Sequence, residues 1–452
     1  MIIRKKYPIV FLLILFYALM SAPVLKNQPI EVTLFGILFL LISLIAVYRV
    51  LAGDVKQRLI PMFAFLYYFI YMTMAQLYVL NSTRIATKQF CKISFIVTFS
   101  VLLLMLGSAM GKRLKVRKCK AFYVNRTVFT YYVLLGCSLL MTLIQIRAAG
   151  GFSAYLGASY QGKYSSVSTE KMLGGLSRVI NPFAYYNLMY ISYKENKGLK
   201  WTSRAFFVFH ILMIYVSGSS LSILYQLIGL CCMQILDNQD SIAQFKMSRK
   251  QKQWIKRAVV LLGIGLVVAV LIRFNRSSDS FSFDVLGNAY TLLISTSTFD
   301  ALYYLNLTIS NLSPTWSIGQ FVFAFIFWVP RSIVPFKPLE LGRIVATTFQ
   351  NFNSSINGGF AVTPMAEFYY DFGIIGLIVG LFFLGALIEI IQKTIPVGDK
   401  ECNRKYALSV ELMFMFATVS LPASWTNMGS TMVGIVMFLI IENFINKFRI
   451  RR

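Results

Sequence analysis

An apolar run of about 20 residues is long enough to cross the hydrocarbon layer of a bilayer as one helix. There the backbone has to satisfy its own hydrogen bonds, which leaves helices or closed barrels as the only folds open to it. This 452-residue sequence repeats such runs, near 7–24, 31–51, 59–80, 93–111, 128–147, 172–193, 204–217, 219–236, 258–272, 372–392, 406–423 and 429–446. The two short runs, 204–217 and 219–236, flank Ser217-Gly218-Ser219-Ser220 and read alternatively as one long broken helix. The expected fold is an all-α polytopic integral membrane protein with about 12 transmembrane helices. Composition agrees. Charged residues are 13% of the chain, about half of the roughly 25% in a soluble domain. Hydrophobic residues are 57% and mean hydropathy is +0.66. A cytosolic enzyme, a secreted domain and a disordered chain are all excluded on that ground.

Lys and Arg number 44 against 17 Asp and Glu, a formal charge of +27. On a soluble chain that excess suggests nucleic-acid binding. On a membrane protein it belongs to cytoplasmic loops, and no nucleic-acid partner is expected. With Met1 inside, the segments 1–6, 49–58, 112–127, 194–204, 237–257, 393–405 and 447–452 face the cytoplasm and hold 31 of the 44 basic residues. Both termini are therefore predicted to be cytoplasmic. One outward connection, with Arg84, Lys88 and Lys92, runs against the trend. Met1-Ile2-Ile3-Arg4-Lys5-Lys6 resembles a signal-peptide start, but no small-residue cleavage site follows, so the first run reads as a retained helix. The six cysteines form no CxxC pair or zinc spacing, and no disulfide framework is expected.

The runs divide the chain into three parts. Residues 1–272 form an N-terminal transmembrane bundle of about nine spans with an outward loop at 147–171. Residues 273–371 form a large periplasmic loop, in which Leu292–Ile309 and Phe321–Val329 are apolar enough to lie at the interface or re-enter the membrane. Residues 372–452 supply about three C-terminal spans. Long structured loops between helices tend to carry function.

The outward segments are rich in cations and poor in metal ligands. Arg147 stands where a helix leaves the membrane, beside Gly150-Gly151, whose backbone can present N–H groups next to the guanidinium; a snorkelling interfacial arginine is the alternative. Tyr155, Tyr160 and Tyr164 suit stacking on sugars or an aromatic belt. Arg178 follows Gly174-Gly175 inside an apolar stretch, where a charge is by default a functional candidate. Pro330, Pro335 and Pro338 stiffen a segment that carries Arg331 and Lys337, with Arg343 after it. Arginine forks and a lysine point charge fit a diphosphate, or lipid headgroups. Thr363-Pro364 has the form of a helix cap and first helical residue, which puts Glu367 and Asp371 on one face at i and i+4. Such a pair serves as a general base toward a hydroxyl, as a partner for the arginines, or as first-turn acids against the helix dipole. There is no DxD, no outward histidine and no phosphate-binding GxxxxGK[ST] loop, so neither a metal nor a nucleotide cofactor is expected.

Pro330-Arg331, Pro335-Phe336-Lys337-Pro338, Gly358-Gly359, Thr363-Pro364, Glu367, Tyr370 and Phe372-Gly373-Ile374-Ile375-Gly376, together with the helix number and the long outward loop, resemble the O-antigen polymerases (Wzy). The resemblance covers most of the chain as architecture and about 50 residues as motif. It implies a GT-C-like membrane glycosyltransferase of the bacterial inner membrane, metal-independent and without cofactors. Its expected substrates are undecaprenyl-diphosphate-linked oligosaccharide repeat units, joined at the periplasmic face, and its expected partner is a chain-length regulator in the membrane. By that analogy Arg147, Arg178, Arg331 and Arg343 hold the leaving diphosphate with Lys337 in support, Glu367 or Asp371 activates the acceptor hydroxyl, and Tyr160, Tyr164 and Tyr370 contact sugars. Relatives often carry a Gly-Ser-Arg-Gly-like turn in mid-chain, whereas Ser217-Gly218-Ser219-Ser220 here has no arginine. An O-antigen ligase is the near rival, but its outward-loop histidine has no counterpart, since the sole histidine, His210, lies within a predicted span. A lipid-oligosaccharide flippase is the rival of another class, and the long outward loop argues against it.

Overall fold

The computed structural model describes residues 7–26, 28–51, 59–82, 84–117, 128–148, 151, 187, 197–217, 299–320, 322, 334–349 and 362–394. Every regular element among them is α-helical. The chain forms two compact units. One comprises Met1–Cys119, Asn288–Val397 and Met413–Thr426, the other Lys120–Gly287, Gly398–Leu412 and Asn427–Arg452.

The first unit contains α1 (Tyr7–Leu25), α2 (Ile30–Leu51), α3 (Leu59–Ser82), α4 (Thr87–Arg113), α7 (Ala301–Asn311), α8 (Leu341–Phe349) and α9 (Pro364–Thr394). Four helices among the described residues are long and apolar enough to cross a membrane: Ile30–Leu51, Ile60–Ser82, Thr87–Arg113 and Pro364–Thr394. The outer faces of α1, α2 and α4 leave Phe11, Leu19, Leu34, Leu41, Phe95 and Leu106 exposed, as lipid-facing surfaces do. Inside, Phe39 of α2 stacks on Phe69 of α3 with ring centres 6.0 Å apart.

The tightest contact joins α4 to α9. Gly107 and Gly111 lie four residues apart, hence on one face of α4. A Cβ added at Gly107 would run into the carbonyl oxygen of Phe382, and one at Gly385 into that of Leu104. Backbones this close leave no room for side chains. Leu104 meets Gly385, and Gly111, two turns on, meets Ala386 and Glu389, so α4 and the long arm of α9 run parallel. The sequence reading assigns these two spans the same direction.

α9 is not one straight rod. Phe372 (φ −137°, ψ 21°) and Gly373 (φ 62°, ψ −148°) leave helical geometry. Gly373 occupies a region of backbone space open essentially to glycine alone. Beyond the bend, a Cβ at Gly376 would strike the carbonyl oxygen of Phe368, and one at Gly380 its ring. The arm Pro364–Asp371 therefore folds back, antiparallel, along the arm Ile374–Thr394. The sequence expects a helix to begin at Thr363-Pro364 and a span to start at 372; the helix does begin at Pro364, and its first arm turns back at Gly373 because two glycines give it a groove to lie in. α4 likewise starts at Thr87 rather than 93 and takes Lys88 and Lys92 into its first turns.

The second unit contains α5 (Val128–Ala148) and α6 (Lys197–Ser217). Tyr131 Oη donates to Asn187 Oδ1 at 2.6 Å, Asn187 Nδ2 to the Ser203 carbonyl at 3.0 Å, and Ser203 Oγ to the Asn187 carbonyl at 3.0 Å. Each buried polar group in this knot has a partner. His210 is buried, its ring stacked 6.0 Å from that of Phe206. The predicted spans near 219–236, 258–272, 406–423 and 429–446, and all of 172–193 except Asn187, lie outside the described residues.

Candidate functional site

The returning arm of α9 brings the two candidate carboxylates into the first unit. Thr363 caps it: its Oγ1 accepts the Ala366 amide at 3.3 Å, and Pro364 takes the first helical position, where its missing N–H costs nothing. Glu367 is 1% exposed and Asp371 4%. The sequence reading puts the pair just outside a span. In the structure Glu367 stands within the bundle, one turn or about 6 Å farther from the bend than Asp371. The start of the arm reaches deeper still. Met365 Sδ accepts hydrogen bonds from Ser100 Oγ (3.0 Å) and Tyr68 Oη (3.4 Å). Both residues lie about 20 Å along their helices from the α3–α4 connection. A small cavity there is lined by Ala64, Tyr68, Leu104, Met365, Leu381 and Leu384. Its surface is almost wholly apolar.

At the bend, the lost helical hydrogen bonds are replaced. In a continuous helix the carbonyls of Tyr370 and Asp371 would accept from residues 374 and 375. Instead Thr315 N donates to the Tyr370 carbonyl at 2.8 Å and Ser317 N to that of Asp371 at 3.1 Å. Pro314 packs against Gly373, 3.3 Å from where a Cβ would be. The Asp371 side chain also joins this loop, its Oδ1 accepting the Gln320 amide at 3.1 Å. Between the two donor amides, Trp316 adopts φ 52° and leaves 66% of its surface exposed. A left-handed backbone is uncommon outside glycine, and persists where the surroundings over-determine it.

Gln320 then reaches the cation-bearing segment. It is 4% exposed. Its Nε2 donates to the Leu339 carbonyl at 2.9 Å and its Oε1 accepts the Leu341 amide at 2.9 Å. Lys337 stands two residues before this clasp and Arg343 two residues after it, and both are half-buried. Lys337 closes a turn through its amide to the Val334 carbonyl (3.2 Å), and α8 starts with the Arg343 and Ile344 amides on the Glu340 carbonyl.

A further ion pair is in the same unit. Arg84 Nη1 lies 3.8 Å from Asp300 Oδ1, and its guanidinium lies 5.6 Å from the ring centre of Tyr303. Tyr304 Oη donates to Asp300 Oδ2 at 3.5 Å. Burial raises the pKa of the Tyr304 hydroxyl, and the Asp300 charge raises it further, so this group stays a proton donor.

The structure thus gathers Lys337, Arg343, Glu367, Tyr370 and Asp371 in one unit. Tyr370 is half-buried and holds the bend through its carbonyl. Arg147 ends α5 in the other unit and is exposed. Arg178, Arg331, Tyr160 and Tyr164 lie outside the described residues. Sequence reasoning missed Gln320, Thr315, Ser317 and the Arg84–Asp300 pair. Only the outward basic exception at Arg84 offered a signal. No family model, curated protein or solved structure matches the chain.

Proposed function

We propose that this protein joins lipid-diphosphate-linked oligosaccharide repeat units into a surface polysaccharide at the outer face of a bacterial inner membrane. The observation that carries the reading is the tie between the acid-bearing bend of α9 and the segment bearing Lys337 and Arg343, made through Asp371 and Gln320. Glycosyl transfer from a lipid diphosphate needs those two functions side by side. The acceptor hydroxyl oxygen bonds to the anomeric carbon of the growing glycan. The bond from that carbon to the diphosphate oxygen breaks, and the diphosphate leaves with the electron pair. The hydroxyl proton passes to a carboxylate. Glu367 or Asp371, one turn apart on the returning arm of α9, takes that role. Lys337 and Arg343 offset the charge that develops on the leaving group.

The energetics fit an enzyme with no external energy source. Cleavage of the glycosyl diphosphate drives the step, and the protein orients two substrates. Losing one cation at the leaving group costs about 10²–10³ in rate, by analogy with lost oxyanion donors.

The test is electrophoresis of lipopolysaccharide from a deletion strain, complemented with variants. Deletion leaves core bearing a single repeat unit. Loss of every repeat unit points to a ligase or flippase instead. Glu367→Gln and Arg331→Ala abolish the ladder while protein level stays normal; a wild-type ladder removes the substituted residue from the site.

A further inference from the structure

We infer that Gln320, through the loop Pro314–Gln320, is the positioning residue that sets the diphosphate-binding segment 337–343 in register with the bend of α9. The inference rests on the reading of Lys337 and Arg343 as anion ligands.

The loop makes contacts on two sides. Toward the bend, the amides of Thr315, Ser317 and Gln320 donate to the Tyr370 carbonyl, the Asp371 carbonyl and Asp371 Oδ1. Toward the cation segment, both polar atoms of the Gln320 side chain are used. A carbonyl oxygen only accepts and an amide N–H only donates, so bonding to the Leu339 carbonyl and the Leu341 amide fixes which way the side-chain amide points. These bonds tie down the backbone between Lys337 and Arg343. A buried amide with both ends satisfied holds its neighbours firmly, since breaking the clasp strands polar groups away from water. The left-handed Trp316 lies inside the same loop, and its strain persists only because the flanking amides are pinned. Diphosphate held by Lys337 and Arg343 is thereby delivered at a set distance from the carboxylates of α9. Asp371 acts here as an anchor for the loop.

The experiment uses the full-length protein in detergent or nanodiscs, with Gln320→Met and Gln320→Glu. Methionine keeps the length of the side chain without its hydrogen bonds, and glutamate keeps the acceptor to Leu341 while losing the donor to Leu339. Hydrogen exchange is followed over 334–349, with residues 104–113 as a fold control. Inorganic pyrophosphate is the probe. In the wild type pyrophosphate slows exchange over 334–349. In Gln320→Met that segment exchanges about tenfold faster, as expected for lost buried hydrogen bonds, and the pyrophosphate midpoint weakens about tenfold, while 104–113 is unchanged. Gln320→Glu falls between. In a polymerisation assay with lipid-linked repeat units, the variants raise KM for the lipid-diphosphate donor about tenfold with kcat changed less than about threefold, which a fall in folded fraction would not do.

Unchanged exchange at 334–349, or equal pyrophosphate affinity in Gln320→Met and wild type, overturns the inference. So does a wild type that pyrophosphate does not protect. Expected protection in a protein that polymerises nothing sinks the proposed reaction and leaves the positioning role standing.

Discussion

The two ends of the α3–α4–α9 bundle each bury carboxylates and serve them differently. At the end away from the bend, Glu389 is 2% exposed, accepts Ser108 Oγ at 2.7 Å and lies 3.8 Å from Lys112 Nζ. The neighbouring polar side chains finish helix ends. Lys393 Nζ donates to the carbonyls of Gly111, Lys112 and Leu114 at the C-terminus of α4, and Gln392 Oε1 accepts the Ile60 amide at the start of α3. Every one of these contacts completes a helix that would otherwise leave orphan groups. At the bend end, Glu367 and Asp371 lie on an arm that turns back into the bundle, and the polar contacts tie loops to one another. Caps make the first end a fastener. The second is a frame that ties the bend of α9 to the loop at 314–320 and the segment 339–341.

The sharpest way to break this contrast is to part the helices that both ends share. Gly385→Leu places a side chain against the Leu104 carbonyl. Overpacking usually costs about 1–3 kcal/mol, and backbone-to-backbone contact puts this substitution at or above the top of that range. The expected result is loss of monodisperse protein; a normal elution profile would refute the close approach of α4 and α9.

The next largest effects separate the two glutamates. Glu389→Ala strands the Ser108 hydroxyl and removes the ion pair with Lys112. A hydrogen bond to a charged group contributes about 1.5–3 kcal/mol, so the loss is expected near 2 kcal/mol in an SDS-unfolding titration, with turnover per folded molecule unchanged. Glu367→Gln reverses the pattern, with turnover down about 10³-fold or more and stability changed by less than about 1 kcal/mol. Equal behaviour of the two would dissolve the distinction between fastener and frame.

Much of the bundle was legible from the sequence. Runs of about 20 apolar residues mark α2 and α3 within two residues at each end, and α4 except for its first six residues, because bilayer thickness and helical rise fix their length. The cap was legible too, since Thr363-Pro364 combines an acceptor side chain with a residue needing no amide partner. The fold-back of Pro364–Asp371 was not. Its apolar pattern continues smoothly into the span, and only Gly373, Gly376 and Gly380 together distinguish a reversal from a long rod. Interfacial or re-entrant segments were expected at Leu292–Ile309 and Phe321–Val329; α7 covers residues 301–309 of the first, while residues 292–298 and nearly all of the second lie outside the described residues. Gln320 gave no local signal, because its partners Leu339, Leu341 and Asp371 are set by tertiary folding.

Gly373→Ala tests the bend directly. At φ 62° and ψ −148° an alanine Cβ is strained, and it would also press on Pro314. Such conformations cost about 1–3 kcal/mol, so the unfolding free energy falls by about that amount and faster amide exchange is confined to Thr315, Ser317 and Gln320, whose acceptors move. A variant as stable as the wild type would mean that the arm runs straight.

The smallest effect is expected at Arg84. The side chain is 48% exposed against 8% for Asp300, and the pair is separated by 3.8 Å. Exposed ion pairs contribute about 0.2–1 kcal/mol, and the cation–π contact with Tyr303 adds a similar amount. Arg84→Gln therefore lowers stability by about 1 kcal/mol or less. Its larger consequence is local, since Asp300 is buried and precedes α7. Tyr304 Oη, held protonated by burial and by the Asp300 charge, remains a donor to that carboxylate. The expected signature is a salt-sensitive stability difference between wild type and Arg84→Gln that shrinks above about 1 M salt, where the screening length falls to about 3 Å. A difference that salt does not touch would assign Arg84 to packing on Tyr303 and take the ion pair out of the account of the bend end.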